Sequence, residues 1–95
     1  MPLSSPHDRL RVPDAVVTRA IDGATVLLNV DTGQSFMLDD IGTRAWTVLT
    51  ASPSFQDAYD TLLAEYHVEP EQLRRDLDAL VDHLDAQGLL EIRRA

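Results

Sequence analysis

The first half of the chain alternates between apolar and polar positions in the way that is typical of β-strands. Residues 15–21 (AVVTRAI) and 24–30 (ATVLLNV) are rich in β-branched residues, and the Asp-Gly pair at 22–23 is a hairpin signal. A second turn, at residues 31–33, ends in glycine, and residues 34–38 (QSFML) predict a third short strand. The pattern therefore predicts a three-stranded antiparallel meander whose last strand lies at an open edge.

After the third strand, apolar residues recur at helical spacing. Asp39 and Ser54 are predicted N-caps of two helices, which end near Ala51 and Tyr66. Pro53 separates the two segments, because a proline cannot continue the first helix. The sequence thus predicts two short helices directly after the meander.

The third helix is the most strongly amphipathic segment. Pro70 suits its first position, the apolar residues from Leu73 to Leu84 recur at steps of three and four, and Gly88 is placed to follow its end. Residues 89–94 (LLEIRR) predict a short extended tail. The whole order predicts an α+β fold, a β-meander followed by three helices, that is similar to a winged helix-turn-helix.

Length and composition describe one globular domain, because 95 residues with 44% apolar content suffice for a single core. Residues 1–14 are rich in proline and serine and predict a flexible N-terminal arm, whereas residues 15–93 form the predicted domain. The sequence contains no signal-peptide pattern and no apolar run of the roughly 18 residues that a membrane helix requires. We therefore expect a cytoplasmic protein with no membrane partner.

The charge balance opposes nucleic acid as a partner, since the formal net charge is −8 and phosphate binding needs a basic face. A winged-helix transcription regulator is the alternative that the fold alone would favour. Its recognition helix would carry basic and amide side chains into the major groove. The third helix instead bears Glu71, Asp76, Asp78, Asp82 and Asp85 against Arg74 and Arg75.

No constellation of residues predicts catalysis, a metal site or a cofactor. The chain has no cysteine, and His7, His67 and His83 are far apart in sequence, so we interpret the histidines as solvent-facing. No glycine-rich loop with a lysine is present to hold a nucleotide. Trp46, the single tryptophan, is predicted to fill the core. The sequence therefore predicts a protein that is not an enzyme and binds no cofactor.

Residues 26–49 (VLLNVDTGQSFMLDDIGTRAWTVL) resemble the PqqD-like family, also known as the RiPP recognition element, where RiPP denotes a ribosomally synthesised and post-translationally modified peptide. The family has, in this order, an apolar strand, a turn ending in Gly, a short strand ending in Leu-Asp and a Gly-x-x-x-Trp helix. The resemblance continues through Leu-Leu-x-x-Tyr, Val-x-Pro, Arg-Asp-Leu-x-x-Leu and a closing Gly-Leu-Leu, and it covers about residues 15–92. As a free-standing chain, the protein is most similar to the discrete recognition proteins of lasso-peptide gene clusters.

The resemblance implies a protein that binds the leader of a precursor peptide and works beside a separate leader peptidase and cyclase. A PqqD-type chaperone for a radical SAM enzyme is the alternative within the same family. Ser35 stands where an aromatic residue is common in the family, and Met37 where glycine is common, so the side-chain preference for the bound peptide does not follow from the resemblance. Whether the domain forms a homodimer through its free edge stays open.

The resemblance further implies that the leader adds as an antiparallel strand to the edge at residues 34–38, with apolar side chains in a groove beside the third helix. About four or five main-chain hydrogen bonds, at a net ~1 kcal/mol each, roughly match the ~4 kcal/mol or more lost on association, so apolar anchors must supply the rest. Asp76 is expected at the border of the groove, and Leu77→Arg is expected to weaken leader binding while the domain stays folded. The predicted peptide-binding residues are Gln34, Ser35, Phe36, Met37, Leu38, Leu73, Arg74, Asp76, Leu77, Leu80 and Val81.

Overall fold

The computed structural model describes residues 9–93, in which a three-stranded antiparallel sheet packs against three helices and a separate two-stranded sheet joins the two ends of the described chain. The α+β order predicted from the sequence is thereby confirmed. The elements are β1 (Arg9–Arg11), β2 (Val16–Ile21), β3 (Ala24–Asn29), β4 (Ser35–Leu38), α1 (Asp40–Ala51), α2 (Phe55–Glu65), α3 (Pro70–Ala86) and β5 (Glu91–Arg93).

The predicted meander forms from β2, β3 and β4, in that spatial order. Asp22 and Gly23 join β2 to β3 with φ angles of 47° and 85°, the two positive values that a type I′ hairpin turn requires. Gly33, with a φ angle of 79°, closes the turn that leads into β4. Among the strands of residues 9–93, β4 pairs with β3 alone, so its second edge is open as predicted.

The helices begin at the predicted residues. The carboxylate of Asp39 accepts a hydrogen bond from the backbone N–H of Gly42 at 2.7 Å. Ser54 Oγ accepts one from the N–H of Asp57 at 3.2 Å, and α3 starts at Pro70. Each cap satisfies a donor that the first helical turn would otherwise leave unpaired, which explains why these helices start where they do.

The end of α3 also follows the sequence prediction. Gly88 has a φ angle of 72°, and its N–H donates to the carbonyl of Asp85 at 3.1 Å. The N–H of Leu89 donates to the carbonyl of Leu84 at 2.9 Å. This pair of bonds is a Schellman motif, which turns the chain back so that Leu89 and Leu90 enter the core.

One core lies between the inner face of the meander and the three helices. Trp46 is buried in it, as predicted. Phe55 and Val81 are fully buried, which joins α2 and α3 in the same cluster. The buried apolar residues are Leu27, Leu38, Ala45, Trp46, Val48, Leu49, Phe55, Ala58, Leu62, Leu77, Val81, Leu84, Leu89 and Leu90.

The predicted flexible arm differs from the structure over its last residues. Arg9–Arg11 forms β1, which pairs antiparallel with Glu91–Arg93. Leu10 and Ile92 stand opposite each other and pack against the core. Residues 1–8 of the predicted arm lie outside the described residues. A three-residue strand has no local signal when its partner is at the far end of the chain, so the sequence pattern could not reveal it.

A buried polar side chain, Asn29, ties the meander to the end of α3. Its Nδ2 donates to the carbonyl of Gly88 at 2.8 Å. Its Oδ1 accepts from the N–H groups of Asp31 and Thr32 at 2.9 and 3.1 Å. Because one side chain shapes the turn before β4 and also holds the end of α3, it sets the position of β4 relative to that helix.

We expect Asn29→Ala to lower the free energy of unfolding by about 2 kcal/mol or more, because it leaves buried polar groups without their partner. Urea unfolding measures this loss of free energy, provided that the m-value is the same in the variant and the parent protein. Thr18→Ala, an exposed β2 substitution, is the control and should cost under ~1 kcal/mol. Equal losses in the two variants would contradict the role given to Asn29.

An ion pair on the surface joins α1 to the end of α2. Arg44 Nε lies 3.0 Å from Glu65 Oε2. The hydrogen bond from Arg44 lowers the pKa of Glu65 below its ordinary value, and the same bond raises the pKa of Arg44. A carboxylate with a lowered pKa stabilises the fold at neutral pH, and the contribution disappears as the pH falls through that pKa.

We expect Glu65→Gln to melt at a lower temperature than the parent protein at pH 7, with the difference vanishing as the pH falls through the lowered pKa of the Glu65 carboxylate. Calorimetry across that range measures it. In an Arg44→Gln background, Glu65→Gln should change the melting temperature equally at all pH values. If the difference in melting temperature still depends on pH there, the pKa of Glu65 is lowered by a group other than Arg44.

Candidate peptide-binding site

Alternate residues of β4 present their backbone groups to its open edge. The N–H of Asn29 donates to the carbonyl of Gln34 at 2.9 Å, so these two residues form a hydrogen-bonded pair of the ladder between β3 and β4. In an antiparallel pair, residues that exchange hydrogen bonds alternate with residues that do not. The N–H and C=O groups of Ser35 and Met37 therefore point away from β3, where an additional strand could pair with them.

The side chains of β4 also alternate. Leu38 lies at the end of the predicted edge strand, but its side chain is buried in the core. Met37 is 66% exposed and lies with Ser35 on the face of the sheet away from the helices. Phe36 is half-buried on the inner side, at the border between β4 and α3. The strand thus contributes one aromatic side chain and its open backbone to the site.

His83, which the sequence analysis did not include in the site, contacts β4 from α3. Its ring centroid lies 4.8 Å from that of Phe36, with the ring planes tilted by 54°. The imidazole is exposed, as predicted, and it packs against Phe36 where α3 crosses β4. No sequence pattern links these two residues, because their contact depends on how α3 crosses the sheet.

An apolar cavity of about 290 Å³ opens beyond the other end of β4, between the start of α1, the end of α2 and the first half of α3. Ile41 is 62% exposed and stands at its mouth, whereas Leu62 and Leu77 are buried at its base. This volume, near the lower limit for ligand pockets, suits apolar side chains of a peptide. The lining residues are Ile41, Gly42, Ala45, Leu62, Tyr66, Val68, Leu73, Asp76, Leu77 and Leu80.

The cavity is adjacent to the open edge of β4 because α1 follows the strand directly. Only Asp39 and Asp40 separate Leu38 from Ile41. At Gly42, a Cβ atom would lie 3.3 Å from the Leu38 side chain, so the start of α1 packs closely on the end of β4. Edge and cavity therefore form one continuous surface.

The predicted contributions of α3 are divided between this surface and the core. Leu73, Asp76 and Leu80 line the cavity and are at least partly exposed. Leu77 also lines it but is only 3% exposed, and Val81 is 0% exposed and lies wholly in the core. The assignment of Val81 to the site is therefore wrong, because α3 turns the stripe formed by Leu77 and Val81 towards the other helices.

Burial of Leu77 also overturns the expectation that Leu77→Arg would leave the domain folded. A guanidinium there would replace a side chain that is nearly inaccessible to water. An unpaired buried charge costs several kcal/mol, which is a large part of the stability of a small domain. A test of the site must use residues at the mouth of the cavity instead.

Two polar residues of α3 have local partners. Asp76, exposed at the rim of the cavity, accepts a hydrogen bond from Gln72 Nε2 at 2.8 Å. Arg74 lies outside the cavity lining, with its guanidinium 4.9 Å from the ring centroid of Phe55 and its Nε 3.3 Å from Asp78 Oδ2. Asp76 thus lies at the border of the cavity, whereas Arg74 lies outside its lining.

Residues 9–93 lack two features that would indicate other functions. No group of three His, Cys, Asp or Glu side chains in that range is close enough together to hold a metal ion. None of its helices has the length and apolar content needed to cross a membrane.

Comparison with known proteins identifies the architecture. Residues 24–90 match the family described as coenzyme PQQ synthesis protein D (PqqD). No curated protein matches the chain. The structure of TbiB1 in complex with the TbiA(beta) leader peptide is 37% identical, with a TM-score of 0.78, over 85% of this chain and 94% of that chain. A lasso peptide synthetase B1 complexed with the leader peptide is 28% identical, with a TM-score of 0.78, over 87% of this chain and 98% of that chain.

The family match spans more than half of the chain, and both solved structures share its sheet and helices. The resemblance seen in the sequence is thereby confirmed. This protein belongs to the PqqD family and is a PqqD-like RiPP recognition element.

Proposed function

We propose that this protein binds the leader of a ribosomally synthesised precursor peptide and presents the precursor to the leader peptidase and cyclase of a lasso-peptide pathway. The observation that carries the proposal is the open edge of β4 next to an apolar cavity. Two similar structures, TbiB1 and a lasso peptide synthetase B1, are complexes with leader peptides. Catalysis is assigned to the partner enzymes.

The leader pairs with β4 rather than with the other edge of the meander, on β2. Both strands have one open edge among the described residues. The residues of β2 after Val16 are exposed and none of them lines the apolar cavity, whereas β4 leads directly into it. Only the β4 edge therefore combines open backbone groups with a place for side chains, as strand-addition recognition requires.

The energetics require both parts of the site. The outward N–H and C=O groups of Ser35 and Met37 offer about four hydrogen bonds at a net ~1 kcal/mol each. The entropy lost on association can offset this whole binding free energy. Each apolar side chain buried in the cavity adds about 1.5–3 kcal/mol. One or two such anchors next to the paired segment therefore decide whether a leader binds.

An antiparallel leader has a defined direction on this surface. β4 runs from the turn at Gly33 towards α1, so a partner strand runs from the cavity towards the turn. Its N-terminal part then places the apolar anchors near Ile41 and Leu80, and its C-terminal part passes Phe36 and His83. The core peptide, which follows the leader, would leave the domain near Gln34.

A PqqD-type chaperone for a radical SAM enzyme is the second candidate, because the family match is to PqqD itself. It would use the same edge and cavity for a different peptide. Both similar solved structures are complexes with leader peptides, and one of the two proteins is named a lasso peptide synthetase. These similarities favour the first candidate. Co-purification with a transglutaminase-like peptidase or with an iron-sulfur enzyme distinguishes the two.

We expect Met37→Pro to weaken leader binding at least tenfold, since it removes an N–H from the open edge without interrupting the ladder to β3. Titration of a fluorescently labelled leader peptide, followed by anisotropy, measures the Kd. Met37→Ala removes the side chain but keeps the N–H, and should bind within about threefold of the parent protein. Similar losses in the two variants would mean that the backbone edge is not the binding element.

We expect Ile41→Asp to weaken leader binding at least tenfold, because a carboxylate at the cavity mouth opposes entry of an apolar anchor. The fold should remain, since Ile41 is 62% exposed and an acidic residue is favourable in the first turn of a helix. Ile21→Asp is the matched control at a site 50% exposed on β2. The cavity is not part of the site if the two variants bind the leader equally.

A further inference from the structure

The small sheet formed by β1 and β5 turns a charged face outward. Leu10 and Ile92, the central pair of its ladder, pack against the core. Successive side chains of a strand point to opposite faces, so the residues before and after this pair share the outward face. We call this outward face the ribbon face; its residues are Arg9, Arg11, Glu91 and Arg93.

The positive charges of the ribbon face are only partly balanced. Glu91 is its one carboxylate, with Oε2 at 3.2 Å from Arg11 Nη1 and Oε1 at 3.8 Å from Arg93 Nε. Asp14, whose side chain is 97% exposed, lies 3.5 Å from Arg11 at the border of the face. Within residues 9–93, Arg9 has no ion-pair partner. The ribbon face is therefore a cationic surface on a chain whose net charge is −8.

Two of these arginines are placed at a cost to the fold. Arg9 and Arg93 stand directly opposite each other in the ladder. Like charges in such a pair destabilise a sheet, whereas a carboxylate at either position would stabilise it. An external carboxylate bound between the two guanidinium groups would reverse the effect, because arginine binds carboxylates through two parallel hydrogen bonds. The pair thus indicates an anionic binding partner.

The ribbon face lies at the end of the domain where the turn into β4 is found. Asn29 binds the turn through its Oδ1 and the carbonyl of Gly88 through its Nδ2, at 2.8 Å. Glu91 follows Gly88 by three residues, which span at most about 11 Å. On the proposed function, on which this inference rests, the precursor leaves the domain at that turn. The ribbon face is therefore close to the emerging peptide.

Charge indicates which kind of partner the ribbon face fits. A nucleic acid carries negative charge along its whole length and would be repelled by the rest of this acidic chain. A second copy of the chain would add a second net charge of −8. A different protein needs only a local group of carboxylates that faces the arginines, so an acidic patch on a partner enzyme fits best.

We propose that the ribbon face docks an acidic patch of the cyclase. The leader peptidase acts at the junction between leader and core, which is the first part of the precursor to leave β4. The cyclase acts on the core peptide, which emerges after that junction. An enzyme bound to the ribbon face, beside β4 and not on it, would receive the core as it emerges. The electrostatic contact would orient the cyclase towards this end of an otherwise repelling domain.

The test uses Arg9→Glu and Arg93→Glu in the full chain, with Arg75→Glu as the matched control. Arg75 is exposed near the start of α3, about 16 Å along the helix axis from its last residue, and its reversal changes the net charge equally. Melting temperature and the Kd for a fluorescently labelled leader peptide are measured for each variant. Biolayer interferometry then gives the Kd for the purified cyclase and for the purified leader peptidase.

We expect Arg9→Glu and Arg93→Glu to bind the cyclase at least about tenfold more weakly than the parent protein, and to bind the leader within about twofold of it. Both should melt at or above the parent's temperature, since each places a carboxylate opposite the remaining arginine. The parent's affinity for the cyclase should fall between about 50 and about 300 mM NaCl, and more steeply than that of either variant. Arg75→Glu should match the parent in both binding assays.

Several results would overturn the docking proposal. Absence of cyclase binding by the parent protein does so, as does unchanged cyclase affinity in Arg9→Glu and Arg93→Glu. An equal loss in Arg75→Glu would assign the effect to net charge alone. Loss of leader affinity in the ribbon variants would place the ribbon face in the peptide site, and a lower melting temperature in both would mean that the paired arginines stabilise the fold.

Further outcomes separate this inference from the function on which it rests and from other occupants. If the parent protein fails to bind the leader, the proposed function fails, whereas cyclase binding that is lost in Arg9→Glu would still support the docking surface. If the ribbon variants lose affinity for the leader peptidase and keep it for the cyclase, the choice of the cyclase is wrong. If sedimentation shows a parent dimer and monomeric ribbon variants, a second copy covers the face and the inference is wrong.

Discussion

The alternation of hydrogen bonding along β4 is the constraint on which the candidate site depends. One bond, from the N–H of Asn29 to the carbonyl of Gln34, sets which residues bond inward and which bond outward. A shift of register by one residue would exchange the two sets and would also turn Leu38 out of the core. The packing of Leu38 against the helices therefore keeps the outward groups of Ser35 and Met37 available.

The cavity and the core share walls, which is a consequence of the small size of the domain. A chain of 95 residues cannot build a separate layer of side chains behind a binding surface. Leu77 is accordingly a core residue on one side and part of the cavity base on the other. Residues at the mouth, such as Ile41, can change without loss of the fold, whereas residues at the base cannot.

Much of the fold could be predicted from the sequence, because its signals are local. The Asp-Gly hairpin, the caps at Asp39 and Ser54 and the glycine after α3 each act within a few residues of chain. The strand at Arg9–Arg11 could not be predicted, since its partner lies at the opposite end of the chain. The same limit explains why the site was only partly predicted: helical spacing places Leu73, Leu77, Leu80 and Val81 on one stripe, and only the packing shows which of them reach the surface.

The pairing of β1 with β5 brings residues 9 and 93 to the same place, opposite each other in one antiparallel ladder. Their sheet is separate from the one that contains β4. A polypeptide joined at either position would therefore start from a common point, on a different sheet from the strand that carries the candidate site. Such an arrangement is well suited to fusion, because a tethered enzyme could be exchanged or moved from one terminus to the other while the recognition surface stays unchanged.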